Sequence, residues 1–151
     1  MDMVQLRDLA DYEALTPDRW GIPSVNPDTV HLRPRILDHG PDSESTDPDT
    51  LLDLILMPGV AFDFEDGAIG RLGHGKGFYD FFIHRYLVKA AGSQADPSSI
   101  NLLLYGLALK EQLLDGTPGH QVPVGPLDQG LHGLVLGDGT ILTARTAKPA
   151  T

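Results

Sequence analysis

Eleven residues carry the densest chemical signal in the chain: Gly70-Arg71-Leu72-Gly73-His74-Gly75-Lys76-Gly77-Phe78-Tyr79-Asp80. Glycines alternate at 73, 75 and 77, which lets successive backbone N–H groups approach an anion closely. Arg71, His74 and Lys76 place three potential cations within six residues, in a chain whose formal net charge is −10. Phe78, Phe82, Tyr86 and Ala90 then recur every four residues, with Tyr79, Ile83 and Leu87 beside them, which is helical period with a broad apolar face. The loop therefore delivers its glycines to a helix N-terminus, where free N–H donors and the macrodipole favour negative charge. Geometry, dipole and charge all point to phosphate.

Generic phosphate templates fit in part. Gly70 through Lys76 satisfies G-x-x-x-x-G-K, but Gly77 comes next, where a P-loop places a Ser or Thr on Mg²⁺, and the spacing is not G-x-G-x-x-G. A metal–nucleotide would need another oxygen, and Asp80 in the first helical turn is the nearest. The competing reading is a flexible glycine-rich turn, with Asp80 only complementing the helix dipole.

Other chemistries are excluded or weak. Cysteine is absent, so disulfides, thiolate metal sites and Cys nucleophiles are ruled out. G-x-S-x-G and H-E-x-x-H are absent. His84 reads as a solvated helix residue, and Asp80 and His84 as i, i+4 neighbours on one face. With 21 acids against 11 bases, the chain lacks the basic footprint that nucleic acid or an anionic membrane requires. The longest apolar stretch, Leu102 to Leu109, falls far short of the roughly 20 residues of a membrane span. The first residues are acidic and carry neither an apolar signal core nor an Arg-rich transit pattern. These features predict a soluble cytoplasmic domain.

The surrounding elements must position the loop. Met3 to Leu6 reads as a short strand and Asp11 to Leu15 as a helical turn. Arg19 to Thr29 reads as a loop, in which Trp20 either packs down as a plug or lines a pocket for a flat ligand. Residues 38–53 carry six acids and no Lys or Arg, which predicts a flexible acidic insertion. Leu54 to Met57, closed by Pro58-Gly59, suits a central strand covered on both faces. After a turn at Glu65-Asp66-Gly67 come the glycine loop and its helix. Ile100 to Leu109 holds a second buried strand, and Lys110 starts a short helix. Val122 to Val124, Gly133 to Leu136 and Ile141 to Ala144 are short strands, the last two joined by a turn at Gly137-Asp138-Gly139. The order of elements predicts an α/β class with a single domain over 1–145 and a tail over 146–151.

At this point the motifs resemble a known family. PGVAFD (Pro58 to Asp63) with GRLGHGKGFYD (Gly70 to Asp80) after it is similar to the signature of the 5-formyltetrahydrofolate cyclo-ligases, also called 5,10-methenyltetrahydrofolate synthetases. MDMV with the downstream W-x-IP at Trp20, ALKEQ at Ala108 to Gln112, and VPV with a later Asp at Val122 to Asp128 look similar in order and spacing. The resemblance covers about Met1 to Val135. It implies a three-layer α/β sandwich with a mostly parallel central sheet, and an enzyme that uses ATP and Mg²⁺ to convert 5-formyltetrahydrofolate to 5,10-methenyltetrahydrofolate, releasing ADP and phosphate. Lys76 and Arg71 would be its catalytic cations. Arg71, Leu72, Gly73, His74, Gly75, Lys76, Gly77, Phe78 and Tyr79 would cradle ATP. Trp20 and residues His74, Gly75, Lys76, Gly77 and Phe78 would border the folate. Asp80 and Asp128 would hold Mg²⁺.

Two departures accompany the resemblance. Met1 aligns with an internal Met of the family, so an N-terminal segment with ATP-binding cations and a folate carboxylate is expected to be missing; if it carried a targeting segment, the protein would be mitochondrial. His132 stands where an acidic residue is usual. The expected protein is a monomeric enzyme of folate metabolism with a small-molecule substrate and neither nucleic acid nor membrane as partner. The alternative is a truncated homologue that binds nucleotide or folate without turnover.

Overall fold

The computed structural model describes residues 1, 3–37, 51–65, 67–93 and 100–144. Contacts group the chain into two compact units, Met1–Thr50 and Leu51–Thr151. Most of the expected acidic insertion, at 38–50, and the tail at 146–151 lie outside the described residues.

The first unit is short elements held by polar ties. α1 (Leu9–Glu13) is capped by Asp8, whose carboxylate accepts the Asp11 N–H at 2.8 Å. β1 (Thr16–Pro17) pairs antiparallel with β2 (Pro23–Ser24). The Arg33 guanidinium grips Asp11 through two bonds of 2.7 and 2.6 Å, and this holds the Asp11 carboxyl well below the usual carboxylate range. The strand expected at Met3 to Leu6 is only an isolated bridge between Val4 and Arg35. Trp20 is not a plug. The residue is 72% exposed, and the Arg19 guanidinium lies 4.9 Å from the centroid of its ring.

The second unit is an α/β fold around a four-stranded mixed sheet in the order β3-β6-β7-β8. β3 (Leu54–Pro58), β6 (Leu103–Ala108) and β7 (Gly133–Leu136) run parallel, and β8 (Ile141–Thr143) returns antiparallel to β7. α2 (Phe78–Ser93) lies between β3 and β6 in the chain, the long connection that parallel strands need. Of the predicted apolar stripe it buries Phe82, Ile83, Tyr86 and Ala90, whereas Phe78, in its first turn, is exposed. Leu51 to Asp53 are anchored rather than part of a free insertion. The Leu52 N–H donates to the Tyr86 hydroxyl at 2.7 Å, and the Asp53 carbonyl accepts from the Leu103 N–H at 2.8 Å.

Three expectations are corrected here. β3 is an edge strand of this sheet, not a central one. Its burial alternates, so that Ile55 is 3% exposed and Leu56 is 49% exposed. Ile55, Met57, Leu104, Ala108, Leu134 and Leu136 share the covered face, while Leu54, Leu56, Leu103 and Leu107 stand on the open one. A continuous Leu/Ile/Met run cannot tell one covered face from two, because every residue in it is apolar. Second, Gly70 to Leu72, read as the start of the glycine loop, belong to a hairpin of β4 (Ala61–Glu65) and β5 (Ala68–Leu72), which turns at Gly67 (φ 82°) as expected. It joins the remainder of the unit through single bridges, Phe62 to Leu113 and Ile69 to Leu131. Third, Val122 to Val124 is not a strand. The short helix at Lys110 is a 3₁₀ turn, Lys110–Gln112.

His132 comes directly after the bridge residue Leu131. Its Nδ1 accepts the Leu104 N–H at 3.0 Å, and its own N–H donates to the Leu104 carbonyl at 2.8 Å. A carboxylate at 132, which the resemblance leads one to expect, would offer an acceptor at the same place. His132→Ala should therefore lower stability by about 1 kcal/mol while His132→Asp stays near the parent. Leu56→Ala should cost less than about 1 kcal/mol and Ile55→Ala about 2–5 kcal/mol, because only Ile55 leaves a cavity. Urea unfolding of the four variants checks both pairs.

Candidate functional site

The glycine loop opens onto a cleft of ≈ 690 Å³. β5 delivers Arg71 and Leu72 to one end of the loop, and α2 starts at Phe78 on the other. Gly75 and Gly77 have φ of 79° and 59°, in the left-handed region that an L side chain disfavours. A Cβ on Gly77 would also lie 3.0 Å from the Phe81 ring. Among the described residues, the N–H groups of Gly73 to Lys76 meet no protein acceptor. The loop thus presents unpaired donors beside a helix N-terminus, the local chemistry of an anion cradle.

Arg71 and Asp80 close the loop's two ends. Arg71 Nη2 donates to Asp80 Oδ2 at 2.8 Å, with side chains only 6% and 13% exposed. The guanidinium also lies 5.3 Å from the centroid of the Tyr79 ring. Asp80 Oδ1 accepts the Gln129 N–H at 3.1 Å. Arg71 is consequently a paired cation that shapes the loop, whereas Lys76 and His74 are exposed. Lys76 Nζ lies 5.9 Å from the centroid of the Phe78 ring and, among the described residues, pairs with no carboxylate.

Asp128 lines the same cleft as Asp80, Lys76 and the glycines. Its Oδ2 accepts the Gly125 N–H at 2.6 Å, which folds residues 125–128 into a tight turn. Among the described residues no three His, Cys, Asp or Glu side chains gather into an all-protein metal site. Two carboxylates on one cleft nevertheless suit a hard divalent ion, which keeps several waters and takes further oxygens from phosphate. The cleft therefore gathers the expected residues from Arg71 to Asp80 together with Asp128. Trp20 belongs to the first unit.

Sequence reasoning missed three contributors. Gln112, the last residue of ALKEQ, donates from Nε2 to the Gly59 carbonyl at 2.9 Å and accepts the Leu109 N–H on Oε1 at 2.8 Å. It so fixes the Pro58-Gly59 wall of the cleft. Gln129 offers only its backbone to Asp80, and no residue-type signal could have found it. Asp63 lies inside PGVAFD, and its signal was a lone acid between two phenylalanines.

On an α/β fold, the cleft thus gathers a glycine loop before a helix, an exposed lysine and two carboxylates. The family model for 5-formyltetrahydrofolate cyclo-ligases matches residues 1–136, and the chain belongs to that family. It is 37% identical over 123 residues to a probable 5-formyltetrahydrofolate cyclo-ligase of Schizosaccharomyces pombe, covering 82% of this chain and 50% of that protein. The 5-formyltetrahydrofolate cyclo-ligase of Saccharomyces cerevisiae is 40% identical over 91 residues, covering 60% of this chain and 36% of the relative. A probable cyclo-ligase of Caenorhabditis elegans is 34% identical over 122 residues, covering 78% and 47%. The chain thus spans half or less of the length of these relatives. Among the described residues no helix is long and apolar enough to cross a membrane.

Gly77→Ala tests the loop. Strain at a positive φ should lower stability by about 1–2 kcal/mol, with a thermal unfolding scan as the measurement.

Proposed function

We propose that this chain carries the ATP- and Mg²⁺-dependent cyclisation of 5-formyltetrahydrofolate to 5,10-methenyltetrahydrofolate, with release of ADP and phosphate. The observation that carries the reading is the glycine loop, whose unpaired N–H groups share one cleft with Lys76, Asp80 and Asp128. Family membership supplies the substrate class.

The chemistry suits this inventory. A formamide oxygen leaves poorly, so it first attacks the γ-phosphorus of ATP, and the bond from that phosphorus to the ADP oxygen breaks. The neighbouring N10 then attacks the formyl carbon and gives up its proton to solvent, and the oxygen departs with phosphate. Phosphoryl transfer asks chiefly for positioning and charge stabilisation, so no protein nucleophile is needed. In this reading the N–H groups of residues 73–77 hold phosphate oxygens, and Lys76 opposes charge as it develops. Arg71 keeps the loop closed by holding Asp80. Mg²⁺ would be held by Asp80 and Asp128 and would neutralise phosphate charge. His74 and Phe78 border the folate.

We read residues 1–145 as one working domain of a monomeric cytoplasmic enzyme, without nucleic acid or membrane partners. The open face bearing Leu54, Leu56, Leu103 and Leu107 supports the finer three-layer reading, in which a further layer covers it.

Titration calorimetry with Mg-ATP, together with the absorbance of the methenyl product, tests the proposal. Lys76→Ala should weaken ATP binding by about 10–100-fold, the worth of a hydrogen bond to a charged group. Equal affinity in Lys76→Ala would remove Lys76 from the phosphate site. ATP binding without product formation would favour the binding-only alternative, and absence of both overturns the reading.

A further inference from the structure

Asp63 is a charged residue with only 3% exposure. A carboxylate removed from water must be hydrogen-bonded or paired to remain ionised. Its Oδ2 accepts the Val122 N–H at 2.7 Å, a buried bond across 59 residues of chain. Its Oδ1 lies against Gly70, the facing residue on β5, where any Cβ would overlap the oxygen. Gly70 thus makes the space in which the carboxylate sits.

The bond matters because Val122 leads into the wall that bears Asp128. From Val122 the chain passes through Pro123 to the turn of Gly125 and Asp128, and then to Gln129, which donates to Asp80. At Leu131 the N–H donates to the Ile69 carbonyl at 3.0 Å. Asp80 and Ile69 therefore hold the segment downstream of Asp128, and Asp63 holds it upstream. Asp63, Asp128 and Gln129 also line one cavity of ≈ 180 Å³, adjoining the cleft through the shared Arg71, Pro123 and Asp128.

We infer that Asp63 is a positioning residue: by holding the Val122 N–H, it sets segment 122–128 so that Asp128 stands in the cleft with Asp80 and Lys76. The inference rests on the proposed function, in which Asp128 helps to hold the divalent ion.

The experiment uses this chain with Mn²⁺ and ATP. Mn²⁺ binding is read by electron paramagnetic resonance, ATP binding without metal by calorimetry, and amide hydrogen exchange over residues 120–131 by mass spectrometry. Asp63→Ala should weaken Mn²⁺ binding about 10-fold or more, as loss of an outer hydrogen bond does at metal sites. Exchange near Val122 should quicken, and metal-free ATP binding should hold. Asp63→Asn keeps an oxygen for the Val122 N–H and should restore both exchange protection and Mn²⁺ affinity. A general structural role would instead lower ATP and Mn²⁺ binding together. Gly70→Ala displaces Oδ1 without removing the carboxylate, and should mimic Asp63→Ala if that variant does not fold. Unchanged Mn²⁺ affinity in Asp63→Ala or, failing that variant, in Gly70→Ala overturns the inference alone, as does failure of Asp63→Asn to rescue. No Mn²⁺ or ATP binding by the parent overturns the proposed function beneath it.

Discussion

One carboxylate organises the site. Asp80, at the start of α2, holds the Arg71 guanidinium with one oxygen and the Gln129 N–H with the other. Three separate stretches of chain, the end of β5, the first turn of α2 and the 122–130 segment, meet on that side chain. A buried ion pair adds little net stability, because desolvation offsets most of its attraction, yet removing either partner leaves an uncompensated charge. The value of this pair is geometric. It closes a loop whose glycines lose much conformational entropy on ordering, and it leaves Lys76 and His74 exposed on the cleft.

The hairpin and the sheet divide the remaining work. The parallel strands, α2 and the inner face of the hairpin form the core, with Phe62, Ile69, Phe82, Ile83, Met57 and Leu134 buried. The β4–β5 hairpin carries the polar machinery, Asp63 on one strand and Arg71 on the other, and each reaches a different part of the cleft wall. Asp63 reaches the segment that bears Asp128, and Arg71 reaches the helix that bears Asp80. Gln112 holds the third wall at Gly59. The cleft is thus set by side-chain to backbone bonds between segments far apart in sequence. Such bonds are strong when one partner is charged and specific because few acceptors lie within reach.

Much of this was legible in the chain itself. The helix that starts at Phe78 is dictated by its apolar period, and the tight glycine loop before it by the alternating glycines at 73, 75 and 77. Gly137-Asp138-Gly139 dictated the final hairpin. Family membership was readable from PGVAFD and GRLGHGKGFYD, because those residue types in series answer to one backbone geometry. Tertiary structure alone decided the rest. It placed β3 at a sheet edge with one face open, since an all-apolar run carries no period by which to choose. It put Gly70 to Leu72 in a hairpin strand, because Gly70 serves as well opposite a carboxylate as in a loop. It paired Arg71 with Asp80 and left Lys76 exposed, a choice among cations that composition cannot make. It also joined Asp63 to Val122 across 59 residues, because a backbone N–H has no residue type and its partner is known only once the chain has folded.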